Sequence, residues 1–179
     1  MKTEMKLILI IIILLLIFIF MSRSEYESIQ LFKFNTKTKI YLDKYEENVY
    51  NNIKFELSKS QCSRMWGNQL AFINGVIRKF RPKKILELGV AEGGSSIIIL
   101  NAIKDIKNSH LYSIDLSTNE MIGFCVKNIF PQFSKKWSLY TGNVAAKFLE
   151  EIGNGIDMVL IDSSHYEPGE ILDFLIALF

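Results

Sequence analysis

Glu87, Asp115, Asn143 and Asp162 each stand within two residues of the end of a short apolar run. Carboxylates and amides so placed accept hydrogen bonds from hydroxyls, take protons as general bases or ligate hard cations. The first lies in the segment Lys84–Ser96, KILELGVAEGGSS. There an apolar run carries the acid, Gly89, Gly93 and Gly94 make a loose turn, and Ser95 and Ser96 open a new apolar run. This order predicts a buried strand, a tight turn and a helix start. Gly89 and Gly93 let backbone approach a ligand, and the helix start at Ser95 offers unpaired N–H groups. In open α/β sheets such a turn holds a nucleotide-like cofactor.

The acid helps to choose that cofactor. A dinucleotide lays its pyrophosphate over the turn, where a Glu87 carboxylate is repulsive. S-adenosylmethionine brings an ammonium and a sulfonium instead, which a carboxylate in a partly buried cleft attracts. Ala91 also stands where the middle glycine of G-x-G-x-x-G belongs, which counts against a dinucleotide-dependent oxidoreductase. Asp115 lies 22 residues after Gly93, a distance at which an acid binds ribose hydroxyls. Asn143 offers its amide to an adenine edge or to its own turn. Asp162 is a candidate metal ligand or general base, and His165 a candidate acid/base or acceptor contact. His110, at a strand start, reads as a surface or structural residue.

These groups need a sheet to bring them together. Trp66, Leu70, Ile73, Ile77 and Phe80 recur at three- and four-residue steps, one face of a helix that Arg81-Pro82 stops. Strands are then predicted at 84–89, 110–116, 137–141 and 156–162. Helices are predicted at 95–106, 119–128, 145–152 and 168–178, the last opened by Pro168. Ile40 to Lys59 suits one helix or two short ones. Four β-α units in succession imply an α/β fold with a Rossmann-like parallel sheet and right-handed crossovers.

Composition bounds the alternatives. A net charge of +2, without a basic stripe interleaved with aromatics, excludes an obvious nucleic-acid surface. Cys62 and Cys125 are the two cysteines, far apart and without metal-type spacing. They read as free, partly buried thiols rather than a disulfide or a metal site. Leu7 to Met21 is an unbroken apolar run of 15 residues behind Lys2 and Lys6. It is short for a span, which needs about 20 residues, and has the length of a signal-peptide core. Bulky Phe20-Met21 and Arg23 make a poor cleavage site, so an uncleaved N-terminal membrane helix is the preferred reading. The flanking charges give conflicting signs of orientation. The organisation expected is therefore an anchor or signal over 1–24, a linker and helical region over 25–65, and the sheet domain over 66–179.

With these residues in place the chain resembles the class I S-adenosylmethionine-dependent methyltransferases. It is most similar to the branch of cephalosporin-hydroxylase-like and catechol O-methyltransferase-like proteins. The matching pieces are ILELGVAEGGSS, LYSIDL, LYTGN and IDMVLIDSSHYEPGEILDFLIAL, within Trp66 to Phe179. The resemblance implies that Glu87, Gly89, Gly93 and Ser95 surround the methionine part of the cofactor. It implies that Asp115 holds the ribose, that Asn143 lies near the adenine and that His165 faces a small-molecule methyl acceptor. Asp162 would be the first ligand of a divalent metal such as magnesium where the family uses one. Asn143 departs from the Asp common at its place. The family's strand order, 3-2-1-4-5-7-6, implies a further strand beside the fourth. The chain is thus expected to be a C-terminally truncated product, a fragment, or a protein completed by a partner or by a homo-oligomer. Methyl transfer to an oxygen of a small molecule or sugar is the leading expectation, with the domain on the cytoplasmic side where S-adenosylmethionine is made. The alternative is a non-catalytic, membrane-tethered remnant or interaction module.

Overall fold

The computed structural model describes residues 44–60, 62, 65, 67–163 and 169–178. The chain divides after Lys39, and all described residues lie in the second unit, Ile40–Phe179. The apolar run Leu7–Met21 lies outside the described residues. Among those described, no helix is long and apolar enough to cross a membrane.

Two helices lead in, α1 (Lys44–Ser60) and α2 (Gly67–Phe80). Within the segment Ile40–Lys59, the described residues from Lys44 on form one helix. Leu70, Ile73 and Ile77 are buried as their spacing predicted, whereas Phe80 is 63% exposed. Trp66 lies outside the described residues. The alternation follows: β1 (Lys84–Leu88), α3 (Gly94–Ile103), β2 (His110–Asp115), β3 (Trp137–Thr141), α4 (Ala146–Ile152), β4 (Met158–Ile161) and α5 (Gly169–Leu178). The four strands form one parallel sheet in the order β3-β2-β1-β4, the expected arrangement.

One expected helix is absent. Residues 119–128 form turns and a π-helical turn, Cys125–Ile129, followed by a 3-10 turn, Pro131–Lys136. The reason is local. Ser117 Oγ accepts from Asn119 N–H, and Asn119 Oδ1 accepts from Met121 N–H, so side chains compete with helical bonding. Gly123 then takes φ +69°, outside the helical region.

The core has two faces. All ten residues of α3 are buried, because it lies between the sheet and the leading helices. Ile85, Ile97, Ile98, Leu111 and Val126 pack there with Leu57 and Ile77. On the other face Leu86, Leu88, Ile114, Ala145 and Ile152 make a smaller cluster. Lysines close two helix ends. Lys136 Nζ donates to the carbonyls of Ile103 and Ile106, and Lys84 Nζ to those of Ile152, Gly153 and Asn154. A cation there satisfies carbonyls with no helical partner and suits the negative helix end.

The cysteines are a correction. Cys62 and Cys125 are bonded to each other, with Cα atoms 6.0 Å apart. Their separation of 63 residues hid this pairing, which arises because α3 and the turn after β2 fold back against the leading helices.

Candidate cofactor site

Register puts the polar residues at one edge. Leu88 is level with Ile114 of β2 and Ile161 of β4. The next residues, Gly89, Asp115 and Asp162, therefore emerge together at the C-terminal end of the sheet. Gly89 N–H donates to Ile114 O, and Asp162 N–H to Leu88 O, both at 2.9 Å. Gly89 has φ +89°, and a Cβ there would sit 2.2 Å from the Asp162 carbonyl oxygen. No side chain fits at that crossing. Gly93, at φ +93°, precedes α3. Ala91 between them takes φ +48°, a left-handed conformation in which an L-residue is strained.

Asp115 holds this turn. Its Oδ2 accepts from the N–H groups of Val90 and Ala91, at 2.9 and 3.1 Å, and its Oδ1 from Ser117 N–H at 2.9 Å. Charge-assisted bonds to backbone N–H groups are among the stronger ones. A carboxylate has about four acceptor sites, so with three in use capacity remains for about one ligand hydroxyl.

Two hollows meet at Gly89. A cavity of about 460 Å³ is walled by Asp115, Leu116, Asn143, Val144, Leu172 and Asp173. A cleft of about 50 Å³ lies over the turn, lined by Ala91, Glu92, Ser95 and Asp162 with Cys62 and Met65. Gly89 lines both. The larger hollow has the size of a small-ligand site, apolar with a few polar groups. Ser163 hydrogen-bonds Asp173 across its rim.

Glu87 stands back from the cleft. Its side chain does not face the cleft: it is fully buried. Oε1 accepts from Ser95 Oγ at 2.6 Å, and Oε2 from Ser96 Oγ at 2.7 Å and Ser113 Oγ at 2.6 Å. The alternation of a strand explains it. Leu86 and Leu88 point to one face of β1, so Glu87 points to the other, under the start of α3. Burial pushes its carboxyl above the ordinary range against the lowering effect of the serines, and the nearby Asp162 charge adds to the rise. Trp137 Nε1 donates to Ser113 Oγ at 2.8 Å, extending the network to β3. Of the expected methionine-side group, Gly89 and Ser95 line the cleft and Glu87 lies behind it.

Ser96 reads in the sequence only as part of the helix start, and Ser113 not as a site residue at all. Ser113 is level with Glu87 in the register, and a lone serine inside the apolar run of β2 was its signal. His110 is structural, as read: Nε2 and Ser138 Oγ are 2.9 Å apart. His165 lies outside the described residues. Among the described residues no group of three or more His, Cys, Asp or Glu is arranged to hold a metal. Asp162 therefore belongs to no such cluster among the described residues.

A family model described as a methyltransferase domain matches residues 86–178, just over half of the chain. The chain belongs to this family. The methyltransferase domain begins inside β1 and ends with α5, so the larger hollow lies within its frame, and the cleft does so apart from Cys62 and Met65. No curated protein matches the chain. Solved structures do. An O-methyltransferase from Bacillus cereus, in complex with SAH, is 16% identical with a TM-score of 0.57, over 83% of this chain and 66% of that one. A putative caffeoyl-CoA O-methyltransferase from Staphylococcus aureus is 23% identical with a TM-score of 0.52, over 69% and 58%. The O-methyltransferase TomG from Streptomyces achromogenes, involved in tomaymycin synthesis and solved with SAM, is 17% identical with a TM-score of 0.54, over 81% and 64%. At these identities the likeness is one of fold, the class I methyltransferase fold. The chain spans less than two thirds of the length of each of these structures.

Proposed function

We propose that this methyltransferase domain binds S-adenosylmethionine across Gly89 and transfers its methyl group to an oxygen of a small-molecule acceptor. The observation that carries the reading is the junction at Gly89. Gly89 lines both a small cleft over the glycine turn and a larger cavity with Asp115 at its wall. The cofactor's methionine part suits the cleft, where the start of α3 faces its carboxylate. Its ribose suits Asp115, and its adenine the apolar cavity beside Leu116 and Asn143. When bound, it supplies an electrophilic methyl group on a sulfonium. The chain's own contribution is positioning: Asp115 fixes the turn, and the cavity walls orient the adenosine. Asp162, at the cleft, is the candidate to accept the acceptor's proton, and His165 is the second.

Isothermal titration of the full chain with S-adenosylmethionine, S-adenosylhomocysteine and NAD tests this reading. Micromolar binding of the first two, weakened at least tenfold by Asp115→Ala, supports it. No heat at millimolar S-adenosylmethionine, or tighter binding of NAD, overturns it. A methyl-transfer assay on catechols and sugars then tests the acceptor class, and turnover of neither sinks that part.

We further propose that Leu7–Met21 anchors the chain in a membrane with the domain on the cytoplasmic side, where the cofactor is made. Flotation of the expressed chain with vesicles tests the anchor, and a chain found wholly in the unbound fraction removes it. Protease protection in sealed membranes tests the sidedness. Among the described residues β4 pairs on one side only, and a partner or a second copy pairing there is the reading we test. A strictly monomeric, fully active chain in analytical ultracentrifugation would count against it.

A further inference from the structure

Each half of the cystine touches the candidate site, Cys62 as a lining residue of the cleft and Cys125 through a hydrogen bond to its turn. Cys62, 1% exposed, follows α1, and its N–H donates to Leu57 O. Its side of the cleft faces Ala91, Ser95 and Asp162. Cys125 pairs with the turn through its backbone. Its N–H donates to Glu92 O at 2.9 Å, and Gly123 N–H donates to Ala91 O at 2.8 Å. The segment 123–125 thus forms two backbone rungs onto the cofactor turn itself. The packing is close: a Cβ on Gly93 would lie 3.3 Å from Gly123 Cα. Below, Asp115 holds Val90 and Ala91. Above, the disulfide ties the rung segment to the cleft wall.

We propose that the Cys62–Cys125 disulfide is a positioning element of the cofactor site, and that its reduction weakens binding of S-adenosylmethionine. The inference rests on the cofactor reading given above. The physical reason is the strained turn. Ala91 at φ +48° persists only where its surroundings over-determine it. Cutting the disulfide leaves the turn held by Asp115 and backbone bonds, and frees Cys62 at the cleft from the segment at Cys125. A turn that samples other conformations binds with an affinity reduced by the fraction no longer competent. Coupling is reciprocal, so bound cofactor must in turn make the disulfide harder to reduce. In the step itself a dithiol supplies two electrons and two protons. The Cys62–Cys125 S–S bond breaks, an S–H forms on each cysteine, and the dithiol closes to its own disulfide. The domain then binds its cofactor according to the thiol-disulfide poise around it.

The test uses the purified full chain. Affinity for S-adenosylhomocysteine is measured before and after reduction by dithiothreitol, with thiols counted by alkylation and mass spectrometry. It is done where circular dichroism shows the reduced chain still folded, so a loss of global stability alone does not move the result. The expected result is a tenfold or greater rise in Kd on reduction, reversed on reoxidation and reproduced by Cys62→Ser with Cys125→Ser. Should the reduced chain not stay folded, the reduction equilibrium is titrated with and without S-adenosylhomocysteine. A tenfold shift, about 30 mV for a two-electron couple, supports the coupling. Equal affinity in both redox states, or an equilibrium the ligand does not move, overturns the inference and leaves the cofactor reading standing. No binding in either state overturns both.

Discussion

Asp115 Oδ2 lies 2.9 Å from the backbone nitrogen of Val90 and 3.1 Å from that of Ala91. The acid at the end of β2 therefore holds the turn that follows β1. It fixes the turn on which the proposed cofactor would sit, a role separate from the ribose contact proposed for it. Asp115→Ala removes three charge-assisted bonds to backbone N–H groups. We expect a loss of stability of about 2 kcal/mol together with the loss of cofactor affinity. Asp115→Asn should recover part of the stability, because an amide oxygen still accepts. Urea denaturation of the three proteins checks this, and equal midpoints would refute the turn-holding role.

Glu87 gives a pH prediction. Burial raises its carboxyl above the ordinary 4.5, so the folded state binds this proton more tightly than the unfolded chain. Its contribution to stability is then complete below the unfolded value and falls as pH rises through the raised one. Glu87→Gln should flatten that fall while keeping the fold. Glu87→Ala strands Ser95, Ser96 and Ser113 around a cavity and should cost about 3 kcal/mol. Denaturation curves between pH 4 and 8 separate the two, and parallel profiles for Glu87 and Glu87→Gln would contradict the assignment.

Gly89→Ala tests the strand crossing. A methyl group placed 2.2 Å from the Asp162 carbonyl oxygen forces β4 away from β1 or unwinds the turn. The positive φ adds strain of about 1 kcal/mol. We expect more than about 3 kcal/mol of destabilisation in all, read as a lowered thermal midpoint. A midpoint within a degree or two of the parent would rule the crossing out.

The disulfide closes a loop of 63 residues. Loop-closure entropy of the unfolded chain puts its contribution at about 4 kcal/mol. Oxidised and dithiothreitol-treated protein should differ by that order in urea. Free thiols in the untreated, carefully purified chain would disprove the bond.

His110 is one of two histidines. Burial, and then the Lys136 charge, lower its pKa below the ordinary 6.5. The folded state resists this proton, so stability is lost as pH falls through the unfolded value and on toward the lowered one. Titration by NMR, assigned with His110→Gln, should show the lowered value. A value at or above 6.5 would be the contrary result.

The sequence by itself determined the order of elements, the parallel sheet and the placing of Gly89, Asp115 and Asp162 at strand ends. Apolar runs of strand length punctuated by glycine leave little freedom, because each run must be buried and each turn must reverse the chain. The motif of β1 was also legible, since a glycine turn before a helix is a local pattern. What the tertiary structure decided is where side chains point and which distant groups meet. Glu87 read as a cleft residue, yet the period of two along β1 sends it under α3 to Ser113, 26 residues away. Helical spacing after β2 was overruled by Ser117, Asn119 and Gly123. The Cys62–Cys125 pair was invisible because contact across 63 residues depends on how α1, α3 and the turn at Gly123 pack. Local patterns follow from steric rules acting over a few residues. Long-range pairing follows from the packing of whole elements, which no short stretch of sequence encodes.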